Sequence, residues 1–178
     1  MKQKAVFLDR DGVINVEKDY LYKREDFEFI DGLFEALRYL QSLGFKLFII
    51  TNQSGIGRGY YKEDDFKKLT VWMVEQFKQE GIEISQVEYC PHAPEVDCSC
   101  RKPKTGMIEK IASNFKIDFP NSWIIGDKQS DIECGKNSNI GHSIQVKSGH
   151  SFLKSDAEFV IERLDYQSIA SIILKEKR

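Results

Sequence analysis

The chain has 178 residues, 41% of them apolar and 12% aromatic: enough for one well-packed core, short for two ordinary domains, and too rich in aromatic residues for disorder. Its 26 Lys and Arg against 28 Asp and Glu leave a net charge of −2, without the basic excess of a dedicated nucleic-acid binder. No apolar run approaches the roughly 18 residues of a membrane span, and the stretch after Met1–Lys4 ends at Asp9, too early for a secretory leader, so no membrane partner and a cytoplasmic location are expected.

Ala5–Leu8 reads as a buried strand that runs into the polar Asp9-Arg10-Asp11-Gly12. Leu33, Leu37 and Leu40 form a helical stripe that Gly44 stops as a C′ residue. Phe45–Ile50 is a second strand, ending at Thr51-Asn52, and the glycines of Gly55-Ile56-Gly57-Arg58-Gly59 make either a flexible turn or an anion cradle with Arg58 adding charge. Phe66, Leu69, Met73 and Phe77 give a second helix, closed by Gly81. Gln86–Tyr89 is a third strand, Met107–Phe115 a third helix, and Ser122–Ile125 a fourth strand ending at Gly126-Asp127. Ile144–Val146 and Phe159–Ile161 are weaker strands, and Tyr166–Leu174 is a closing helix. Strands alternating with helices predict a single α/β domain over residues 1–178, a Rossmann-like parallel sheet covered by helices on both faces.

In such sheets ligands bind beyond the carboxyl ends of the strands. Three of the predicted strands end in chemically capable groups: Asp9-x-Asp11, Thr51-Asn52, and Asp127 with Asp131 after it. If those strands are neighbours, the carboxylates repel one another unless a hard cation sits among them, and Mg²⁺ suits oxygen donors. A cation beside a carboxylate nucleophile also relieves its repulsion from a phosphate, and a carboxylate two residues on can serve as general acid and base. Neither a Walker sequence nor GxGxxG occurs.

Cys90, His92, Cys98 and Cys100 supply three thiolates and an imidazole, the donor set of a closed tetrahedral zinc site. That loop leads directly into Arg101-Lys102-Pro103, so zinc there would fix where Lys102 enters the site. Cys134 reads as core, and His142 and His150 as loop histidines without visible partners.

Val6-Phe7-Leu8-Asp9-Arg10-Asp11-Gly12 resembles the first motif of the haloacid dehalogenase-type phosphatases; Thr51 resembles their second, Lys102 their third, and Gly126-Asp127 with Asp131 their fourth. The resemblance implies that Asp9 attacks phosphorus, that Asp11 protonates the leaving oxygen and then activates water, and that Thr51 and Lys102 hold the phosphoryl oxygens. Mg²⁺ would be held by Asp9, the backbone carbonyl of Asp11, and Asp127. Only residues 12–50 separate Asp11 from Thr51, which leaves no room for the cap domain of larger members. Within the superfamily, the zinc loop occurs in phosphatases of heptose 1,7-bisphosphate and of histidinol phosphate. Thr51–Gly59 and Gly126-Asp127-Lys128 resemble the heptose branch, and the five residues between His92 and Cys98 resemble the histidinol branch. The heptose resemblance implies substrate contacts from Glu17, Lys18, Asp19, Tyr20, Asn52, Gln53, Ser54, Arg101 and Lys128, with Asp19 standing where that branch shows Gly. A monomeric sugar-bisphosphate phosphatase using Mg²⁺ and structural Zn²⁺, with no nucleic-acid partner, is the expectation. The alternative from another class is a receiver-like module that holds Mg²⁺ and an acyl phosphate without catalysis.

Overall fold

β1 (Ala5–Leu8) is buried along its whole length, and its pleat divides it between two cores: Val6 and Leu8 enter one, Ala5 and Phe7 the other. The computed structural model describes residues 1–176; the last two residues of the expected 1–178 domain lie outside that range. After β1 follow α1 (Leu33–Ser42), β2 (Lys46–Asn52), the short α2 (Ser54–Gly57), α3 (Glu63–Gln79) and β3 (Ile84–Cys90). The second half holds α4 (Gly106–Asn114), β4 (Trp123–Gly126), α5 (Gln129–Asn137), β5 (His142–Val146), β6 (Phe159–Ile161) and α6 (Tyr166–Glu176). Gly44 and Gly81 end α1 and α3 at φ of 83° and 72°, a left-handed conformation that costs glycine little.

Among the described residues six strands lie in the order β3-β2-β1-β4-β5-β6, and every pairing between them is parallel. One face packs on the apolar stripes of α1, α3 and α6 through Leu37, Phe77 and Ile172; the other packs on α4 and α5 through Met107, Ile111 and Cys134. The chain builds outward from β1 to β3, then returns to add β4 on the other side of β1. That reversal opens a crevice between the carboxyl ends of β1 and β4, where Asp9 and Asp127 follow their strands. The stretch between β1 and β2 holds α1 and one 3₁₀ turn at Arg24–Asp26, with no cap domain.

Several local expectations change, β3 running over Ile84–Cys90, β4 over Trp123–Gly126 and β5 over His142–Val146. β2 continues through Thr51 and Asn52, which pair with Tyr89 and Cys90, because β3 runs alongside far enough to hold polar residues in the ladder. α4 stops before Phe115, whose φ of −132° is extended. The glycine-rich segment is not a loose turn, and the N–H groups of Ile56 to Gly59 are not free to cradle an anion. The N–H groups of Ile56, Gly57, Arg58 and Gly59 are all taken by backbone carbonyls, and Gly57 donates to Pro91 O at 2.8 Å. Its glycines serve close packing, since a Cβ on Gly55 would stand 2.2 Å from the Tyr61 ring and one on Gly57 2.5 Å from Ala93 N.

Candidate active site

Asp9, directly after β1, is 8% exposed. Its Oδ1 accepts the Arg10 N–H at 2.8 Å and lies 2.9 Å from Lys102 Nζ. Burial pushes its pKa up to about 6 against the pull of Lys102, with Asp131 and Asp11 adding to the rise. Asp11 has a different environment. Its carboxylate accepts from Arg10 Nε and Nη2 at 3.1 and 2.9 Å, from Asn15 Nδ2 at 3.0 Å and from Gln53 Nε2 at 3.1 Å. Arg10 itself is 1% exposed and also donates to Leu21 O, so a buried guanidinium ties Asp11 to the loop that follows.

Lys102 enters from the far side of the crevice. Asn52, at the end of β2, grips its backbone from both sides: Lys102 N donates to Asn52 Oδ1 at 3.1 Å, and Asn52 Nδ2 donates to Lys102 O at 3.3 Å. Nζ then meets Asp9, Asp131 Oδ1 at 2.6 Å and Ile50 O at 2.8 Å. Burial alone would lower its pKa, but Asp131 and Asp9 outweigh it and hold the ammonium charged. Asp131 also accepts the Lys128 N–H at 3.0 Å, capping α5.

Gly126 makes that cap possible, since a Cβ there would stand 2.1 Å from Asp131 Cβ. Gly126→Ala is therefore expected to destabilise the fold by ~1–3 kcal/mol through overpacking and to displace Asp131 from Lys102. Urea denaturation measures the first effect; an unchanged midpoint would mean that α5 shifts without cost.

Asp127 closes the cluster. Carboxylate oxygens of Asp9, Asp127 and Asp131 lie within 4.8 Å of one another. Burial, then Asp9, raises the Asp127 pKa, while two hydrogen bonds from His150 oppose the rise. Asp127 Oδ1 is buried with no hydrogen-bond partner among the described residues. Three close carboxylates, two with raised pKa values and one with an orphaned buried oxygen, fit a hard divalent cation.

Around these groups lies a cavity of about 380 Å³, lined by Asp9, Asp11, Glu17, Asp19, Tyr20, Asn52, Gln53, Ser54, Arg58, Arg101, Lys102, Lys128, Asp131 and His150, among others. The structure thus brings together nearly all the site residues expected from the sequence. Thr51 lies just beneath, 1% exposed, with Oγ1 accepting from Gln53 Nε2 at 2.9 Å. Lys18 turns outward, its Nζ donating to Asp26 O at 2.8 Å and pairing with Glu28 at 3.5 Å. Asp19 needs no glycine: the left-handed residue of that loop is Tyr20, at φ 56°. Burial, with Asp11 nearby, raises the Glu17 pKa to about 7 against the attraction of Lys128 and His150.

His150 corrects the sequence reading. It has partners, lying in this cavity with Nδ1 2.7 Å from Asp127 Oδ2. His142 is likewise partnered, stacked on Trp123 and paired with Glu158 at 2.9 Å. Arg10, Asn15 and Tyr61, which donates to Gln53 Oε1 at 2.5 Å, also went unread. His150 lies four residues past the end of β5, and extending the strand-end rule to the loop after β5 would have found it.

Beside the crevice, Cys90 at the end of β3 meets His92, Cys98 and Cys100. Cys90 Sγ lies 3.5 Å from His92 Nδ1 and 3.6 Å from Cys98 Sγ, and His92 Nδ1 lies 3.3 Å from Cys100 Sγ. Metal–donor bonds of 2.0–2.3 Å arranged tetrahedrally give edges of about 3.5–3.8 Å, so the cluster has the dimensions and the donors of a metal site.

A family model described as HAD-hydrolase-like matches residues 99–167. The chain is 53% identical over 146 residues to D-glycero-alpha-D-manno-heptose-1,7-bisphosphate 7-phosphatase of Campylobacter jejuni, covering 82% of this chain and 84% of that protein. The chain belongs to the heptose-1,7-bisphosphate 7-phosphatase family. It is also 45% identical over 157 residues to a D-glycero-beta-D-manno-heptose-1,7-bisphosphate 7-phosphatase of Helicobacter pylori, covering 85% of this chain and 91% of the relative. The crystal structure of D,D-heptose 1,7-bisphosphate phosphatase from B. bronchiseptica, complexed with magnesium and phosphate, superposes with a TM-score of 0.84 at 27% identity, over 97% of this chain and 99% of that one. As a member of this family the chain is a HAD-type phosphomonoester hydrolase.

Proposed function

We propose that this enzyme removes the 7-phosphate of D-glycero-D-manno-heptose 1,7-bisphosphate by a Mg²⁺-dependent, two-step transfer through an aspartyl-phosphate on Asp9, in the biosynthesis of a nucleotide-activated heptose. The observation that carries the reading is the distribution of charge in the cavity. Lys102 sits on the floor beside Asp9, while Arg58, Arg101 and Lys128 line the walls. A monophosphate needs only the floor, and a bisphosphate gives the other cations an anion to meet.

In the first step the Asp9 carboxylate attacks phosphorus, and the sugar oxygen departs with a proton from Asp11. Lys102 Nζ and Thr51 Oγ1 hold the phosphoryl oxygens as charge moves among them, which calls for positioning more than covalent chemistry. In the second step Asp11 takes a proton from water, which attacks the phosphorus of the intermediate and frees Asp9. The donors from Arg10, Asn15 and Gln53 hold the Asp11 carboxyl in one place for both steps. Mg²⁺, held by Asp9, the Asp11 carbonyl and Asp127, would neutralise phosphate charge so that an anionic carboxylate can approach. Zn²⁺ on Cys90, His92, Cys98 and Cys100 would have four protein donors and no open position, so its role would be to shape the loop that delivers Arg101 and Lys102.

The test is turnover of heptose 1,7-bisphosphate against histidinol phosphate and fructose 1,6-bisphosphate. The expected kcat/KM for the heptose exceeds the others by at least about 100-fold, since a site built for several polar contacts penalises substrates lacking them. A preference for histidinol phosphate, whose phosphatases share the short gap between His92 and Cys98, would overturn the substrate and leave the chemistry standing.

A further inference from the structure

Of the groups in the cavity, His150 has no part in the two-step transfer, yet the segment that carries it is fitted closely around Asp127. Ser148 Oγ donates to Gly12 O at 2.6 Å, fastening the segment to the loop after β1. Gly149 comes so near that a Cβ on it would lie 2.2 Å from Asp127 Oδ2, and a Cβ on Gly12 would lie 2.7 Å from Gly149 Cα. Only paired glycines allow this approach. It lets His150 donate twice to one oxygen: its backbone N–H lies 2.9 Å and its Nδ1 2.7 Å from Asp127 Oδ2. Since a carboxylate can only accept, Nδ1 carries the proton. The consequence is an asymmetric carboxylate, with Oδ2 saturated and Oδ1 buried without a partner among the described residues.

We propose that His150 is a positioning residue for the metal: by saturating Oδ2 of Asp127 it fixes the carboxylate so that Oδ1 is presented to the divalent cation. The inference rests on the Mg²⁺-dependent reading above, although its chemistry concerns only how one ligand is held. Partners of this kind set a ligand's rotation and basicity, and removing one typically costs 10–100-fold in metal affinity or activity. His150 is partly exposed, with 44% of its side chain accessible, so replacing it leaves the core untouched.

The experiment measures binding of Mn²⁺, which shares the oxygen preference of Mg²⁺, by the electron paramagnetic resonance signal of the free ion, with Mg²⁺ as competitor. Wild type, His150→Ala and His150→Asn are compared as purified. Wild type should bind one Mn²⁺ that Mg²⁺ displaces. The Ala variant should bind at least about 10-fold more weakly, and the Asn variant, whose amide reaches where Nδ1 does, should recover most of the loss. Equal affinity in wild type and the Ala variant would overturn the inference alone, as would a defect seen only in the substrate KM at saturating metal. Failure of wild type to bind either ion, by contrast, would sink the Mg²⁺ reading itself.

Discussion

Asp9→Asn is expected to lower turnover by about 10⁴-fold or more, on the scale seen when a covalent nucleophile is removed, while leaving the fold intact. The two effects separate because of where Asp9 sits. It is buried at the end of β1 and its pKa is raised to about 6 by that burial; an amide of the same shape has no charge to desolvate. Lys102 loses one partner but keeps Asp131 at 2.6 Å and Ile50 O at 2.8 Å, so no bare ammonium is left inside. The metal-free variant should therefore melt within a few degrees of metal-free wild type, measured by circular dichroism, with no product formed in the same preparation. Substantial residual turnover would transfer the nucleophile's role to another group. Loss of folding would make Asp9 a structural residue first.

The second large effect concerns the metal loop. Wild type is expected to carry about one zinc per chain, retained through EDTA treatment that strips Mg²⁺. Cys100→Ser should lose that zinc, and about 4 kcal/mol of stability with it, near 10 °C in the melting midpoint for a chain of this size. The penalty is smaller than for an isolated zinc finger because the loop is fastened elsewhere. Gly106 N donates to Ser99 O at 3.0 Å, Lys104 Nζ to Cys98 O at 2.7 Å, and Gly57 N to Pro91 O at 2.8 Å. Activity should fall more steeply than stability, by about 100-fold, because a misplacement of about 1 Å in a positioned group costs that much. Cys100 stands two residues before Lys102, whose Nζ must reach Asp9 at 2.9 Å. Metal analysis by mass spectrometry and calorimetry decide the matter; a zinc-free wild type that is folded and fully active would contradict the loop's role.

Much of this architecture could be read from the chain because β1, β2 and β4 each announce themselves twice, by an apolar run and by the polar residue that follows it. Leu8-Asp9, Ile50-Thr51 and Ile125-Gly126-Asp127 all carry that transition. Parallel strands buried on both faces make such runs continuous. What escaped depends on contacts between distant residues. Nothing local in Arg10 shows that its guanidinium folds back under Asp11 to reach Leu21 O, and nothing local in Asn52 shows that it grips residue 102. The glycine-rich segment misled for a related reason. Its glycines serve the close approach of Tyr61 and Ala93, which sequence alone renders as flexibility. His150 lay one step further off, at the end of a weakly marked strand whose apolar run is only Ile144 and Val146 around a buried Gln145.

The covalent role of Asp9 is tested most directly by trapping. Asp11→Asn should still be phosphorylated by an aryl phosphate, whose leaving group needs no proton, yet be slow to hydrolyse the product because no base activates water. Acid quenching and peptide mass spectrometry should then find the phosphoryl group on Asp9, alongside a burst of about one phenolate per chain. A burst-free reaction in which phenolate and inorganic phosphate appear together while Asp9 stays unmodified would contradict the account.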